Sequence, residues 1–207
     1  MKKKKLVYGV GINDTDYAVE KYETISYENG KQKRKLVWIC PFYCKWRDML
    51  RRCYSAKWQE KYPTYIGCSA CKDWLVFSNF KHWMEKQDWE GKQLDKDLLL
   101  QGNEVYSPRA CVFVDKKVNL FVTERNASRG RLMIGVCWHR GANKFQALCG
   151  DGSGKQKHLG LFDTEIEAHK AWLDFKLEQA KILAAEQTDP RVAKALIERY
   201  ENYVIEE

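Results

Sequence analysis

The sequence predicts an α+β fold in which several small sheets are packed beside helices. Short runs of alternating polar and apolar residues indicate strands, and apolar residues three and four positions apart indicate amphipathic helices. Hydrophobic residues make up 44% of the 207 positions and aromatic residues 13%, which favours a folded protein over a disordered one. We predict five segments: a β-rich N-terminal segment (1–39), a cysteine-containing helical region with a small strand–strand–helix core (40–124), a linker (125–130), a three-stranded sheet packed on a helix (131–186) and a C-terminal helix (187–207).

Basic residues are concentrated in two tracts. The net charge is 36 − 28 = +8. Residues 31–61 contain ten lysines and arginines against two acids, and residues 125–160 contain seven against one. From residue 161 onward the balance reverses, with eleven acids against six bases. The two tracts predict a polyanionic partner such as double-stranded DNA, although ordinary solvated charge also produces such runs.

The first residues are not expected to form a targeting segment. Lysines at positions 2–5 resemble the start of a signal peptide, but glycine, asparagine and aspartate interrupt the region that would have to be apolar. No apolar run is long enough to span a membrane. We therefore expect a cytoplasmic protein without a membrane partner, with its eight cysteines reduced or metal-bound.

The N-terminal segment predicts a hairpin. A short strand at 6–8 is followed by strands over 22–27 and 31–39, and Asn29-Gly30 between them is a strong hairpin-turn signal. No chemistry is predicted for these residues.

An amphipathic helix is predicted over residues 46–57. Its buried face comprises Trp46, Met49, Leu50, Cys53 and Tyr54. The remaining positions include three arginines available for phosphate contacts: Arg47, Arg51 and Arg52. A second helix is expected to begin at the cap Ser78, with core residues Phe80, Trp83 and Met84.

Five cysteines lie within this helical region. Cys68-x-x-Cys71 has the spacing of a zinc knuckle, and Cys40 with Cys44 or Cys53 could complete a tetrahedral site for structural Zn²⁺. Cys53 also lies on the apolar face of its helix, where a free cysteine behaves as a small hydrophobic residue. The sequence is compatible both with a structural zinc site and with free cysteines packed in the core.

The stretch from Leu94 to Asn119 carries the strongest candidate chemistry. In a strand, Asp95 and Asp97 share one face and Lys96 takes the other. Two carboxylates on one face repel each other, and a divalent metal usually resolves that repulsion. A turn at 102–103, a helical turn capped by Ser107-Pro108 and a return strand over 111–114 complete the pattern.

This stretch resembles the HNH, or His-Me finger, nucleases, most closely the divergent form found in many phage-encoded proteins. The matching elements are Leu94-Asp95-Lys96-Asp97, Gly102-Asn103, Tyr106-Ser107-Pro108, Cys111 and Asn119. The resemblance implies a ββα core that binds Mg²⁺ or Mn²⁺ through Asp95 or Asp97 together with Asn119 and hydrolyses phosphodiester bonds. It places the active site at Asp95, Lys96, Asp97 and Asn119.

The stretch departs from the family at one position. The family uses a histidine at the end of the first strand to activate water, and here no histidine lies between Leu94 and Asn119; Lys96 falls near that position. A lysine is ordinarily protonated at neutral pH and is then a poor base. Asp97, a metal-bound water and a histidine from elsewhere, of which His82 is nearest in sequence, remain alternatives. A polar hairpin whose aspartates cap turns is a further alternative.

The C-terminal region predicts three strands and a helix. Strands over 134–139, 144–148 and 156–160 are separated by turns, the second of which is the glycine-rich run 150–154. Thr164-x-x-Glu167 is a capping box that opens a long helix. We expect four of its residues to face the core: Ala168, Ala171, Trp172 and Phe175.

This region resembles the Apetala-type DNA-binding domain of plant transcription factors, which also occurs fused to phage HNH nucleases. The resemblance rests on Gly-Val-x-Trp, Lys-Phe-x-Ala and His-Leu-Gly-x-Phe-Asp-Thr-x-x-Glu-Ala. It implies that the exposed face of the sheet enters the major groove. The matching candidates are Trp138, Arg140, Lys144, Gln146, Lys157 and His158. A small sheet–helix domain for protein contact is the alternative.

The final helix is predicted to begin at Asp189-Pro190, with Val192, Leu196, Tyr200 and Tyr203 on one stripe. Its acidic surroundings argue for packing or a partner surface. Taken together, the sequence predicts a site-directed, metal-dependent DNA endonuclease of the phage homing type, acting as a monomer or homodimer. The alternatives are a catalytically inactive DNA-binding protein built on a degenerate HNH core and a zinc-stabilised protein-interaction module.

Overall fold

The computed structural model describes residues 6–29, 31–123, 131–150 and 155–205. Helices contain 40% of the residues and strands 26%, and the strands form small sheets. This composition confirms the predicted α+β class. The chain forms two compact units, Met1–Phe113 and Val114–Glu207. The predicted linker at 125–130 and most of the glycine-rich turn at 150–154 lie outside the described residues.

The N-terminal unit begins with a two-stranded antiparallel ribbon, β1 (Glu20–Glu28) and β2 (Lys31–Ile39), as the hairpin signal predicted. Asn29 at the turn has φ 49°, the left-handed conformation that tight hairpin turns require. The expected strand at 6–8 is reduced to a single bridge between Val7 and Gly11, because the chain turns back there. The other α-helices and strands of this unit are α1 (Pro41–Tyr54), α2 (Ala56–Lys61), β3 (Ser69–Ala70), α3 (Phe77–Met84), β4 (Gln93–Asp95), β5 (Val105–Tyr106) and β6 (Val112–Val114), and two short 3-10 helices lie at Pro63–Tyr65 and Lys72–Leu75.

Helix α1 provides one wall of the core of this unit. Four of the five residues predicted to be buried are buried, and Tyr54 is half-buried. Trp46 is fully buried, and its indole Nε1 donates a hydrogen bond to the carbonyl oxygen of Trp74 at 2.7 Å. The predicted single helix over 46–57 is two helices, because the side chain of Ser55 accepts a hydrogen bond from Trp58 and caps α2.

The start of α3 differs from the prediction. The helix begins at Phe77 after Val76, and Ser78 lies inside it. The N–H of Ser78 donates to the Asp14 carboxylate at 3.0 Å, so a distant aspartate satisfies a free donor of the first turn. Phe80 and Met84 are buried as predicted, and Trp83 is half-buried.

Two very short sheets complete this unit. Strand β3 pairs with β5 in parallel, and β4 pairs with β6. The return strand predicted over 111–114 is therefore present at its predicted place. The expected helical turn after Ser107 is a single turn, in which the Ser107 carbonyl accepts from the N–H of Cys111 at 2.9 Å.

The C-terminal unit contains α4 (Lys116–Val122), β7 (Val136–His139), β8 (Lys144–Gly150), β9 (Gln156–Phe162), α5 (Glu165–Ala185) and α6 (Pro190–Glu201). The three strands form an antiparallel sheet in sequence order. The capping box of Thr164 and Glu167 is present, and Asp189 caps α6 with Pro190 at its first position, all as predicted.

Helix α5 covers one face of this sheet. Trp172 and Ala168 are buried against it, whereas Ala171 and Phe175 are half-buried. Gly135, with φ +80°, lies so close that an added Cβ would come within 2.1 Å of the Trp172 ring. Glycine is needed here both for the backbone conformation and for the close approach. Helix α6 packs on α5 through Val192, Leu196 and Tyr200.

Among the described residues, no helix combines the length and the apolar composition that crossing a membrane requires.

Candidate functional site

The register of the three-stranded sheet separates its residues into two faces. Ala147 and Cys149 of β8 are buried at 0% and 3% exposure, and Cys149 belongs to the core cluster of Trp172 on α5. These two residues therefore point toward the helix. Successive side chains of a strand alternate, so Lys144, Gln146 and Leu148 point away from it.

The neighbouring strands extend this second face. His139 of β7 pairs with Lys144, and Cys137 pairs with Gln146, whose Oε1 accepts from the Cys137 thiol at 3.5 Å. On β9, His158 pairs with Leu148. We call these residues the outer face of the sheet: Cys137, His139, Lys144, Gln146, Leu148, His158 and Leu161.

Two of the residues predicted for DNA contact lie on the helix-facing side instead. Trp138 pairs with Phe145, and their rings meet edge to face at 4.9 Å, although Trp138 keeps 45% exposure. Lys157 pairs with the buried Cys149, and its ammonium lies 4.7 Å from the ring centre of Phe175 on α5. The expectation of one shared face is thus corrected for Trp138 and Lys157. It fits Lys144, Gln146 and His158.

The turn between β7 and β8 presents the exposed Arg140. His139 orders this turn, because its Nδ1 accepts a hydrogen bond from the N–H of Ala142 at 3.0 Å, and Asn143 takes φ 52°. Sequence reasoning did not single out His139. The predicted strands gave a usable signal: the first ends at residue 139 and the next begins at residue 144, so an antiparallel pair brings His139 opposite Lys144.

Lys144 already binds an anion within the chain. Its Nζ lies 3.0 Å from the Asp163 carboxylate, and the two side chains are 42% and 79% exposed. An ion pair this exposed contributes little to stability. The energetic cost of separating Lys144 from Asp163 is therefore small.

The three arginines of α1 differ from the prediction in their availability. Arg47 pairs with Glu20, and Arg51 pairs with Asp48 at 3.1 Å and lies over the Trp58 ring at 4.0 Å. Arg52 is half-buried and donates to the Leu94 carbonyl at 3.3 Å. Arg52 thus ties α1 to β4, which corrects its expected role as a phosphate contact.

The Asp95 carboxylate lies at the end of β4. Its Oδ1 accepts from the N–H groups of Asp97 at 2.9 Å and of Leu98 at 2.7 Å, so it caps the turn that ends the strand. The strand stops at Asp95, and the expected shared strand face is replaced by a turn that brings Asp97 beside it. Burial raises the pKa of Asp95 above its ordinary value, and the neighbouring Asp97 carboxylate raises it further.

Lys96 fastens the loop that follows. Its side chain is 12% exposed, and Nζ donates to the Asn103 carbonyl at 2.8 Å and to Asp97 at 3.3 Å. The Asn103 side chain returns a bond to the Lys96 carbonyl at 2.7 Å. The ammonium therefore connects Asp97 to the loop at Asn103.

Within the part of the chain that the structure describes, no group of three or more His, Cys, Asp or Glu side chains is placed to hold a metal ion. The cysteines predicted as zinc ligands, Cys40, Cys53, Cys68 and Cys71, are thus not gathered into a tetrahedral set. Burial raises the pKa of Cys53 to about 12, so that thiol stays protonated.

Magnesium makes a weaker demand on the protein. It is usually held by one or two carboxylates, with waters and substrate phosphates as its other ligands. Asp95 and Asp97 supply such a pair, so these residues fit Mg²⁺ or Mn²⁺ and do not fit a four-ligand zinc site. Asn119 lies on α4 in the C-terminal unit, where its carbonyl accepts from the Thr123 hydroxyl at 2.6 Å. The exposed His82 lines a groove with Asp14, Tyr17 and Glu85, and neither Asp95 nor Asp97 is part of the lining of that groove.

Comparison with models of known families, with curated proteins and with solved structures finds no match to this chain.

Proposed function

We propose that this chain is a site-directed DNA endonuclease of the homing type, which binds duplex DNA through the outer face of its C-terminal sheet. One observation carries the DNA-binding part. The strand register gathers Lys144, Gln146 and His158 on the single face that α5 leaves uncovered, with Arg140 exposed at the adjoining turn.

These side chains are chemically suited to a duplex. Lysine and arginine neutralise phosphates, and this term dominates affinity for DNA. Glutamine can make two hydrogen bonds to the edge of adenine in the major groove, and arginine can do the same with guanine. The outer face thus combines positioning contacts with contacts that read bases.

The reactive part is assigned to the Asp95–Asp97 pair. Asp95 is fixed by two backbone N–H groups, and Asp97 is held from the side by the Lys96 ammonium. A divalent cation bound by these carboxylates would neutralise charge on the scissile phosphate and its leaving oxygen. The side chain of Asp97 is 49% exposed, which makes it better placed than Asp95 to accept a proton from an attacking water. Lys96 positions Asp97 and is not the base in this proposal.

A DNA-binding protein without cleavage activity is the second candidate. It is favoured by the engagement of Lys96, which falls near the position where the HNH resemblance would require a histidine and donates hydrogen bonds to Asn103 and Asp97. In that case the aspartates serve to cap and close the loop. Both candidates require salt-sensitive binding to duplex DNA.

The decisive experiment measures binding and strand breakage on the same DNA. Phage genomic DNA and supercoiled plasmid are incubated with the protein and Mg²⁺, Mn²⁺ or EDTA, beside a gel-shift titration. The variants are Asp95→Asn, Asp97→Asn and Asn119→Ala. Asp88→Asn is the matched control, because Asp88 is an exposed acid that pairs with Lys92, four residues along the chain.

We expect metal-dependent nicking by the wild type and by Asp88→Asn. In Asp97→Asn the nicking rate should fall by roughly a hundredfold or more, while DNA binding is retained. Intact DNA under every metal condition, together with a clear gel shift, would replace the endonuclease by the second candidate. A wild type that shifts no DNA would overturn both.

A further inference from the structure

The β1–β2 ribbon is exposed on both of its faces. All described side chains of the two strands are exposed except Glu20, Ser26 and Ile39, and they include large apolar groups. Tyr27 is 69% exposed, Ile25 56% and Trp38 42%. A two-stranded hairpin with neither face covered is marginally stable in water, so this ribbon is expected to bind a partner.

The pairing register assigns one face mainly to lysines. Lys21 pairs with Trp38 and its ammonium lies 5.3 Å from the ring centre, which fixes these two side chains on the same side. Following the register along the ribbon places Lys31, Lys33 and Lys35 on that side as well, together with Glu23, which lies opposite Lys35 and offsets part of the positive charge. We call these four lysines and Trp38 the lysine face of the ribbon.

The opposite face carries an ordered polar chain. Arg34 donates two hydrogen bonds to the Gln32 side chain, at 2.9 and 3.1 Å, and Gln32 donates to the Tyr27 hydroxyl at 3.2 Å. Tyr22 and Leu36 pair on this face too. The guanidinium is thereby held in place before any partner arrives, which lowers the entropy lost on binding.

Charge is distributed unequally between the strands. Strand β2 contains four basic residues, Lys31, Lys33, Arg34 and Lys35, and no acid. The three glutamates of the ribbon are on β1: Glu20 pairs with Arg47 of α1, and Glu23 and Glu28 are the strand partners of Lys35 and Lys31. The ribbon is also anchored at its base, where the N–H of Cys40 donates to the Val19 carbonyl at 2.8 Å.

We propose that the β1–β2 ribbon is a second contact surface for duplex DNA, with β2 directed toward the phosphates. The major groove admits a two-stranded ribbon, and strands of nine residues extend roughly 30 Å, which is close to one turn of the duplex. The aromatic side chains cover sugar and base edges while the lysines neutralise phosphates. This inference rests on the proposed function, since it takes DNA as the partner of the chain.

The test compares lysine-to-glutamine variants in two places. Lys31→Gln, Lys33→Gln and Lys35→Gln are combined on the ribbon, where glutamine keeps the length and polarity of the side chains. The matched control combines Lys170→Gln, Lys181→Gln and Lys194→Gln, three exposed lysines of the C-terminal helices. Dissociation constants for duplex DNA are measured from about 50 to 200 mM salt, the range over which phosphate contacts separate. Hydroxyl-radical footprints are recorded in parallel.

We expect the ribbon variant to bind roughly tenfold or more weakly, with a salt slope lower by about 2.7 and a shorter footprint. The control variant should match the wild type. Unchanged affinity, slope and footprint in the ribbon variant, while a Lys144→Gln, His158→Ala variant loses binding, would overturn this inference and leave the proposed function intact. A wild type that binds no duplex would overturn the proposed function itself. Weakened binding to an acidic protein but not to DNA would assign the ribbon to a protein partner and overturn the inference.

Discussion

The two larger sheets of this protein are built from similar alternating sequences but differ in how they are covered. In the sheet of β7, β8 and β9, helix α5 covers one face, so Ala147 and Cys149 form part of a core and the other face is not covered by this helix. In the β1–β2 ribbon neither face is sealed. Alternation of polar and apolar residues therefore predicts a strand, whereas the element that packs on the strand determines which of its residues stay exposed.

The largest difference in stability is expected when one tryptophan of each sheet region is replaced by alanine. Trp172 is 4% exposed, stacks on His169 at 5.4 Å and fills the space against Gly135. Trp172→Ala should therefore lower the free energy of unfolding of the C-terminal unit by about 3–5 kcal/mol. Trp38→Ala in the ribbon should change global stability by less than about 0.5 kcal/mol, because Trp38 is largely solvated. Urea unfolding followed by circular dichroism measures both, and equal losses would contradict the comparison.

The two lysines of the covered sheet provide the second test. Lys144 is on the outer face, whereas Lys157 lies toward α5 over the Phe175 ring. Lys144→Gln should weaken binding to duplex DNA by roughly tenfold and lower the salt slope by about one, as expected for one lost phosphate contact. Lys157→Gln should bind within about twofold of the wild type. The same gel-shift series measures both, and a larger loss for Lys157→Gln would show that the register argument selects the wrong face.

Local signals in the sequence predicted much of this fold. The Asn29-Gly30 hairpin, the Thr164 capping box and the Asp189-Pro190 start of α6 were predicted because each depends on a few adjacent residues. The start of α3 was not, because its first turn is satisfied by Asp14, which is distant in sequence. Local chemistry thus determines where elements begin more reliably when the capping group is part of the element itself.

The candidate sites were predicted less completely. Lys157 and His158 were both expected on the outer face, although neighbouring residues of a strand point to opposite sides. The register shift between Ala147 and Leu148 decides which of them is outward, and such an irregularity leaves no clear mark in one sequence. Similarly, the packing that directs Arg52 toward the Leu94 carbonyl depends on the tertiary fold and was not visible in the helical pattern.

The short β4–β6 sheet adds a third case, in which a charged group is partly enclosed. Burial and the Asp97 carboxylate raise the folded-state pKa of Asp95, so its contribution to stability is complete at acidic pH and is lost as pH rises through that raised pKa. Asp95→Asn keeps an oxygen that accepts from Asp97 and Leu98 but cannot ionise. The free energy of unfolding of Asp95→Asn should therefore gain on the wild type as pH rises from about 4 to 8, the range above the ordinary pKa of aspartate. Urea titrations across this range measure it, and Asp88→Asn, in which the changed carboxylate is exposed, is the control. If the free energy of unfolding of Asp95→Asn instead fell relative to that of the wild type as pH rises, the fold would favour the ionised form of Asp95.

A small change in stability is expected for two asparagines that adopt the same backbone conformation. Asn29 in the ribbon turn and Asn143 in the β7–β8 turn have φ 49° and 52°. Alanine tolerates this conformation less well, at a cost of about 1 kcal/mol. For Asn143→Ala the cost should appear in the unfolding of the C-terminal unit, because the packing of α5 couples its strands. For Asn29→Ala the cost should appear as roughly fivefold faster hydrogen exchange, confined to the ribbon amides. The factor follows because about 1.4 kcal/mol corresponds to a tenfold change in the equilibrium for local opening. The effect should stay local because the faces of the ribbon are exposed. If Asn29→Ala instead lowered the unfolding midpoint of the N-terminal unit with no local change in exchange, the ribbon would be coupled to the core beneath it, and its independence from that core would have to be abandoned.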